Sequence, residues 1–279
     1  MNTKKYTHAI GGRELTVEIT DWAEQAHGSV LVRMGDTIVL TTAVMSASPR
    51  EGGDFFPLSV EYEEKFYAAG KVLGSRFVKR ETRPSEEAIL AARLIDRAIR
   101  PRFDMRMRNE VQIVATTLSL DDKNDPDVLA MLGASLALSL SDIPWQGPIA
   151  GVRVARKDNA LILNPSFEER LNAELDLVIA GTRERINMCE AGAREIGEDA
   201  FSDAADKGFA AIKDLIAFQE SIIREHAKPK RAVRLLTIPD ELNQTLAREF
   251  SARIEDAVYQ KDKAAMRASR RLSSSRASR

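Results

Sequence analysis

Residues 83–101 read Arg83-Pro84-Ser85-Glu86-Glu87-Ala88-Ile89-Leu90-Ala91-Ala92-Arg93-Leu94-Ile95-Asp96-Arg97-Ala98-Ile99-Arg100-Pro101, a helix with both of its ends written in. Ser85 offers a side-chain oxygen to the free N–H groups of the first turn, and Glu86 and Glu87 suit the positive end of the helix dipole. Pro101 cannot continue the helix, so it stops there. At about 100° per residue, Leu90, Leu94, Ile95, Ala98 and Ile99 cover one arc, while Arg93, Arg97 and Arg100 fall within about 60° of one another on the opposite side. One face is therefore expected to be core and the other to carry three guanidinium groups, with ion pairs to Asp96 and Glu86 as their ordinary structural use.

Upstream of this helix, the first sixty residues are predicted to form an antiparallel sheet. Strand-like stretches at residues 6–10 and 15–19 flank Gly11-Gly12, a two-residue hairpin signal, and residues 30–34 and 37–45 flank Gly35-Asp36. Residues 55–62 read as a further strand, which Pro57 places near an edge. Residues 63–82 keep no period and set Gly70 and Gly74 among basic residues, the pattern of a mobile loop.

Downstream, residues 110–120 read as a strand, and Asp125-Pro126-Asp127 opens a second helix with Asp125 as its cap. The acidic residues Asp121, Asp122, Asp125 and Asp127 read as a cap and solvated charges rather than a site for a hard cation. Strands at 149–156 and 160–163 meet at Asp158-Asn159, residues 175–180 are strand-like, and helical periodicity runs from Arg194 to His226. Lys228-Pro229-Lys230-Arg231 reads as a linker before a separate helix at 239–259. Residues 267–279 hold five Arg and five Ser without an acid, a tail that cannot bury a core.

Composition narrows the function. With 44% hydrophobic and 30% charged residues the 279-residue chain is an ordinary globular mixture. Its apolar runs fall short of the roughly 18 residues of a membrane span, and no secretory signal follows Lys4-Lys5. A single Cys189 excludes an intrachain disulfide or a cysteine zinc site and fits a cytoplasmic protein. Net charge is −1, yet residues 71–108 hold eleven basic and five acidic side chains, so this segment is +6 and the rest −7. Such a local cationic surface suits a polyanion held at one place. His8, His27 and His226 are scattered, and neither a Ser-His-Asp order nor a phosphate-loop Lys-Ser/Thr is present.

Several motifs in order carry a resemblance: the β-rich opening, the basic loop, Arg83-Pro84-Ser85-Glu86, the stretch Leu94 to Pro101, Asp125-Pro126-Asp127-Val128-Leu129, Gly133-Ala134-Ser135, Ile143-Pro144-Trp145-Gln146-Gly147-Pro148 and Ala180-Gly181-Thr182. Over residues 5–262 the chain resembles the first ribonuclease-PH-type core of the bacterial polynucleotide phosphorylase family. The resemblance implies an α+β core of the ribosomal protein S5 domain 2 type, followed by an all-helical segment. It places the core at 5–226 (lobes 5–145 and 146–226), a linker at 227–237, the start of a helical domain at 238–262 and a disordered tail at 263–279.

The same resemblance implies a phosphate-dependent 3′→5′ exoribonuclease that degrades mRNA to nucleoside diphosphates, with inorganic phosphate as co-substrate and single-stranded RNA threading a homotrimeric ring. Degradosome-type partners, but no membrane, are part of that expectation. RNA contact is expected at Arg76, Phe77, Lys79, Arg80, Arg83, Arg93, Arg97 and Arg100, an aromatic face stacking a base while cations neutralise phosphates. The family's Mg²⁺ chemistry belongs to its second core, where two aspartates and a lysine recur. Here Asp176 matches the second aspartate, Arg170 stands at the first, and Val178 replaces the lysine. This core is therefore expected to lack catalytic and metal-binding residues and to be inactive alone, as a truncated product. The alternative is a catalytically silent, RNA-binding ring subunit of an exosome-like assembly.

Overall fold

The computed structural model describes residues 3–72, 74, 83–121, 123–259 and 261–264, and the chain divides into two units, Met1–Arg234 and Leu235–Arg279. The first unit opens with four strands joined by tight turns: β1 (Lys4–Ile10), β2 (Arg13–Ile19), β3 (Gly28–Met34) and β4 (Thr37–Pro49). Gly11 and Gly12 take φ of 58° and 75°, the left-handed backbone that a two-residue hairpin needs and that glycine adopts without strain. These strands pair antiparallel in sequence order.

The next strand departs from the expected pattern. β5 (Leu58–Glu63) joins β6 (Asn109–Ser119) in parallel, giving the order β1-β2-β3-β4-β6-β5. The chain between them carries helix α1 (Glu86–Ile99), and a crossover of that length lets two strands run the same way. Ser85 accepts from the N–H of Ala88 at 2.9 Å, so the cap forms as its residue type predicts. The buried stripe of α1 is Ala88, Ala91, Leu94, Ile95, Ala98 and Ile99. Leu90, expected on that arc, is 59% exposed; small alanines let the helix sit close to the sheet and turn Leu90 outward.

Helix α2 (Pro126–Leu140) is buried at every residue except Asp127. It packs against β3 and β4 on one side and against a second sheet on the other. Its approach to the first sheet is at backbone distance: a Cβ on Gly133 would lie 2.3 Å from Thr41 Oγ1, and one on Gly28 would lie 2.1 Å from the Ala137 carbonyl. The second sheet contains β7 (Ala150–Lys157), β8 (Ala160–Leu163), β9 (Leu175–Gly181) and β10 (Ile186–Ala193) in the antiparallel order β10-β9-β7-β8. Helix α3 (Phe167–Leu171) precedes β9, and α4 (Glu198–His226) covers β7 and β9 with Ala204, Gly208, Ile212, Leu215, Ile216 and Ile222. Ser135 Oγ donates to Gln219 Oε1 at 2.7 Å and accepts from the N–H of Ile149 at 3.0 Å, while Gln219 Nε2 donates to the Ile149 carbonyl at 2.7 Å. One closed polar triad thus joins α2, α4 and the start of β7 inside the core. The second unit contains helix α5 (Asp240–Val258).

Candidate nucleic-acid interface

The three arginines of α1 share a helix face but meet different surroundings. Arg100 is turned inward: Nε and Nη2 donate to Asp96 at 2.9 and 2.6 Å, and the guanidinium also reaches the carbonyls of Phe56 and Leu58 at 3.4 and 3.1 Å. It thereby ties the helix to the outer edge of the first sheet. Arg97 pairs with Glu190 of β10 at 2.6 Å, both side chains being about half exposed. Arg93 is exposed and has no side-chain partner among the described residues.

The remaining cations of the +6 segment sort in the same way. Arg102 donates to the Gln146 carbonyl, Arg106 pairs with Asp104 at 2.7 Å, and Arg108 donates to the carbonyls of Gly53, Asp54, Met105 and Met107. Their donors are spent on the protein's own backbone and carboxylates. Lys71 and Arg83, like Arg93, keep their side-chain donors free among the described residues. All three line a single cleft of about 1020 Å³ between β5, the turn Phe66–Ala69 and α1. Leu58, Val60, Ala88 and Ala92 supply apolar surface there, and Glu61, Glu63 and Glu64 bring negative charge into the same lining. Arg76, Phe77, Lys79 and Arg80, expected to grip RNA, lie outside the described residues.

Beyond the N-terminus of α2 lies a lattice of opposite charges. Arg153 on β7 contacts Asp125 at 2.7 Å and Asp176 at 2.9 Å; Arg170 on α3 contacts the same two carboxylates at 3.0 and 3.1 Å. The side chains of Arg153 and Asp125 are buried. Asp125 does cap α2, accepting from the N–H of Asp127 at 3.0 Å. Solvent, however, does not account for Asp121 or Asp127, and Asp122 lies outside the described residues. Asp127 faces Arg153 at 3.9 Å, and burial, reinforced by the charge of Asp125, pushes its carboxyl up to about 7 against the pull of the two arginines. Burial likewise pushes the Tyr62 phenol well above its ordinary value, with the charge of Asp127 adding to it. Asp121 receives backbone N–H bonds from Asp36, Lys123 and Asn124. Burial opposes its ionisation, but those donors and the Asn124 side chain outweigh it and hold the carboxyl at about 2.

The lattice also tests the metal position that the family resemblance implies. Both oxygens of Asp176 are occupied by guanidinium donors, Arg153 Nη1 at 2.9 and 3.1 Å and Arg170 Nε at 3.1 Å. Val178 is buried, and its register partner across the ladder is Arg153, so the cation on this face comes from the neighbouring strand. These residues do not fit a divalent cation, and no cluster of metal-ligating side chains occurs among the described residues. Arg153 gave no signal in the sequence, where it sits in an apolar strand; only the β7–β9 register brings it to Asp176.

Comparison with known proteins agrees with this architecture. Residues 11–144 match the model of the 3′ exoribonuclease family, domain 1, and residues 147–211 match domain 2 of the same family. The polyribonucleotide nucleotidyltransferase of Heliobacterium modesticaldum is 49% identical over 258 residues, covering 92% of this chain and 36% of the relative. That of Thermomicrobium roseum is 50% identical over 254 residues, covering 91% and 32% respectively. The chain thus spans about a third of the length of these curated relatives. Among solved structures, rice (Oryza sativa) Rrp46 superposes with a TM-score of 0.59 at 12% identity, over 80% of this chain and 94% of that one, a likeness of fold. With one family's two domain models falling in order on the two sheets and their helices, the chain belongs to the 3′ exoribonuclease family.

Proposed function

We propose that this chain acts as an RNA-binding, catalytically silent core of a phosphorolytic 3′→5′ exoribonuclease. The observation that carries this reading is the convergence of Lys71, Arg83 and Arg93, whose side chains have no partner among the described residues, on one cleft. Phosphates of a single strand would neutralise these cations, and Arg97 would join them by giving up an exposed pair with Glu190. Arg76, Phe77, Lys79 and Arg80 complete the proposed contact from the segment that joins this cleft's two sides in the sequence. Arg100, already committed to Asp96 and two carbonyls, acts in this reading by holding α1 in place.

The arginine–aspartate lattice supports silence at the chemical step, since it occupies Asp125 and Asp176 with guanidinium groups. In the enzyme this reading describes, a core with free carboxylates supplies the metal-dependent attack of inorganic phosphate, and copies of the chain assemble as a ring of three. The test is anisotropy titration of a labelled oligo(A) at several salt concentrations. Affinity that falls with salt in wild type, and whose salt dependence weakens in Arg83→Gln and Arg93→Gln, supports the reading. Equal salt dependence in all three proteins sinks it.

A further inference from the structure

Helix α2 ends without cations of its own. Its last turn holds no basic residue, and the final carbonyls of any helix lack intrahelical donors while carrying the negative end of its dipole. Ser141 satisfies part of this need, its N–H reaching the Ala137 carbonyl at 3.2 Å and its Oγ reaching that of Leu138 at 2.8 Å. The rest is met by a segment some ninety residues further along the chain. Lys230 Nζ donates to three carbonyls, those of Leu138, Ser139 and Ser141, at 2.7, 3.1 and 2.7 Å. The N–H of Lys228 donates to the Leu140 carbonyl at 3.1 Å and the N–H of Arg231 to that of Asp142 at 2.8 Å.

The same segment also reaches the turn that leads into the first sheet's β3. Lys228 Nζ donates to the carbonyl of His27 at 2.8 Å, just before β3 begins. Arg231 pairs with Asp142 Oδ2 at 2.6 Å, and the other oxygen of that carboxylate is buried without a hydrogen bond among the described residues. At the α4 end, Tyr6 Oη contacts both Glu225 and His226, at 2.7 and 2.6 Å. What reads in the sequence as a linker is therefore bonded across the C-terminus of α2, where the Lys230 ammonium meets three carbonyl oxygens. Burial pushes its ammonium down to about 8, with Asp142 pulling the other way, so the charge is present at neutral pH.

We propose that residues 227–231 form a strap whose latch is the Lys230 ammonium, and that removing this one charge frees the strap while the rest of the unit stays folded. Three acceptors around one ammonium cannot be satisfied by a neutral side chain, and an unfilled carbonyl cluster at a helix C-terminus favours water entry beneath the strap. Lys228 and Arg231 contribute one backbone bond each and side-chain contacts nearer the surface, so they follow the latch rather than set it. The device is independent of the RNA-binding reading, because none of its residues lines the cleft.

The strap carries its own reporters in the amides of Lys228 and Arg231. Hydrogen exchange on the full chain should show both amides at least about ten-fold faster in Lys230→Met than in wild type. The Ile149 amide, bonded to Ser135 in the core, should be unchanged. Lys230→Arg should keep most of the protection, and ethylammonium should restore it in Lys230→Ala. Unchanged Lys228 and Arg231 exchange in Lys230→Met overturns the proposal, and so does loss of protection at Ile149, which would make the latch part of the global fold. Should Lys230→Met fail to fold, the proposal is overturned on the same ground. Arg231→Gln, a surface change, decides independently: the Lys228 amide is expected to stay protected, and its release by this variant alone would show that Lys230 is not the latch.

Discussion

Arg153 and Asp176 face each other across adjacent strands, with Nη1 of the arginine 2.9 and 3.1 Å from the two carboxylate oxygens. The register pairing of Arg153 with Val178 makes this contact, since residues two apart on β9 share a face. A carboxylate gripped in this way has no free oxygen to offer.

Removing the buried arginine should be costly, because Asp125 and Asp176 would keep only the more exposed Arg170 as a shared counter-charge. Arg153→Met is expected to lose about 3–5 kcal/mol in urea denaturation. Arg170→Met should cost less, its side chain being 25% exposed and able to yield its place to water. Equal losses for the two variants would show that burial is not what sets the cost.

If the lattice occupies Asp125 and Asp176 as described, magnesium should not change the chain's stability. Thermal melts with and without millimolar Mg²⁺ should superimpose, and poly(A) with phosphate and Mg²⁺ should release no nucleoside diphosphate. An identically prepared Asp176→Asn sample controls for contaminating enzyme. Release by wild type that disappears in this variant would prove the core catalytic.

Asp127 gives the first unit a pH dependence with a definite sign. Its folded value of about 7 lies above the ordinary 3.8, so the folded state holds an extra proton between those limits. The stability tied to that proton is present at low pH and is lost as pH rises through about 7. Asp127→Asn should therefore melt higher than wild type at pH 8, with the gap closing toward pH 4. Partial exposure of the side chain, 29%, tempers the size of the effect. A gap that widens on acidification would contradict the assignment.

Salt titrations of RNA binding separate contact from positioning. Each phosphate contact contributes about 0.7 to the slope of log K against log salt, so Arg93→Gln and the double variant Lys79→Ala/Arg80→Ala should make the slope shallower. Phe77→Ala should weaken binding by about 1–3 kcal/mol with the slope kept, as loss of a stacking face does. Arg100→Gln should lower thermal stability and leave the slope intact, because its donors are turned to Asp96 and the carbonyls of Phe56 and Leu58.

Local signals made most of the architecture legible. Gly11-Gly12 and Asp158-Asn159 both adopt left-handed backbone at their turns, and Ser85 and Asp125 both cap the helices they precede. Pairing partners distant in sequence are not legible locally, so the first sixty residues read as antiparallel while β5 runs parallel to β6. β10 carries no apolar alternation in its sequence, because its exposed residues are mostly polar or small. α3 is a single short turn whose Ser166–Glu169 capping box is its only local mark. The same limit applies to the candidate site: Arg93 could be placed on a helix face by counting, whereas the commitment of Arg100 and the arrival of Arg153 beside Asp176 depend on contacts across 42 or 44 and 23 positions.

The burial of α2 has a consequence for how the first unit comes into being. The helix lies within residues 11–144, one family module, yet one flank of it is covered by β7 of the other module and by α4, which begins in that module and runs past its end at residue 211. The Ser135–Gln219–Ile149 triad sits across that same junction. Neither half therefore possesses a finished interior by itself. During synthesis α2 emerges with an apolar flank that must wait for some eighty more residues before Gln219 reaches it. Until then that flank has no protein partner to cover it, the kind of exposed apolar surface that makes incomplete chains prone to aggregate.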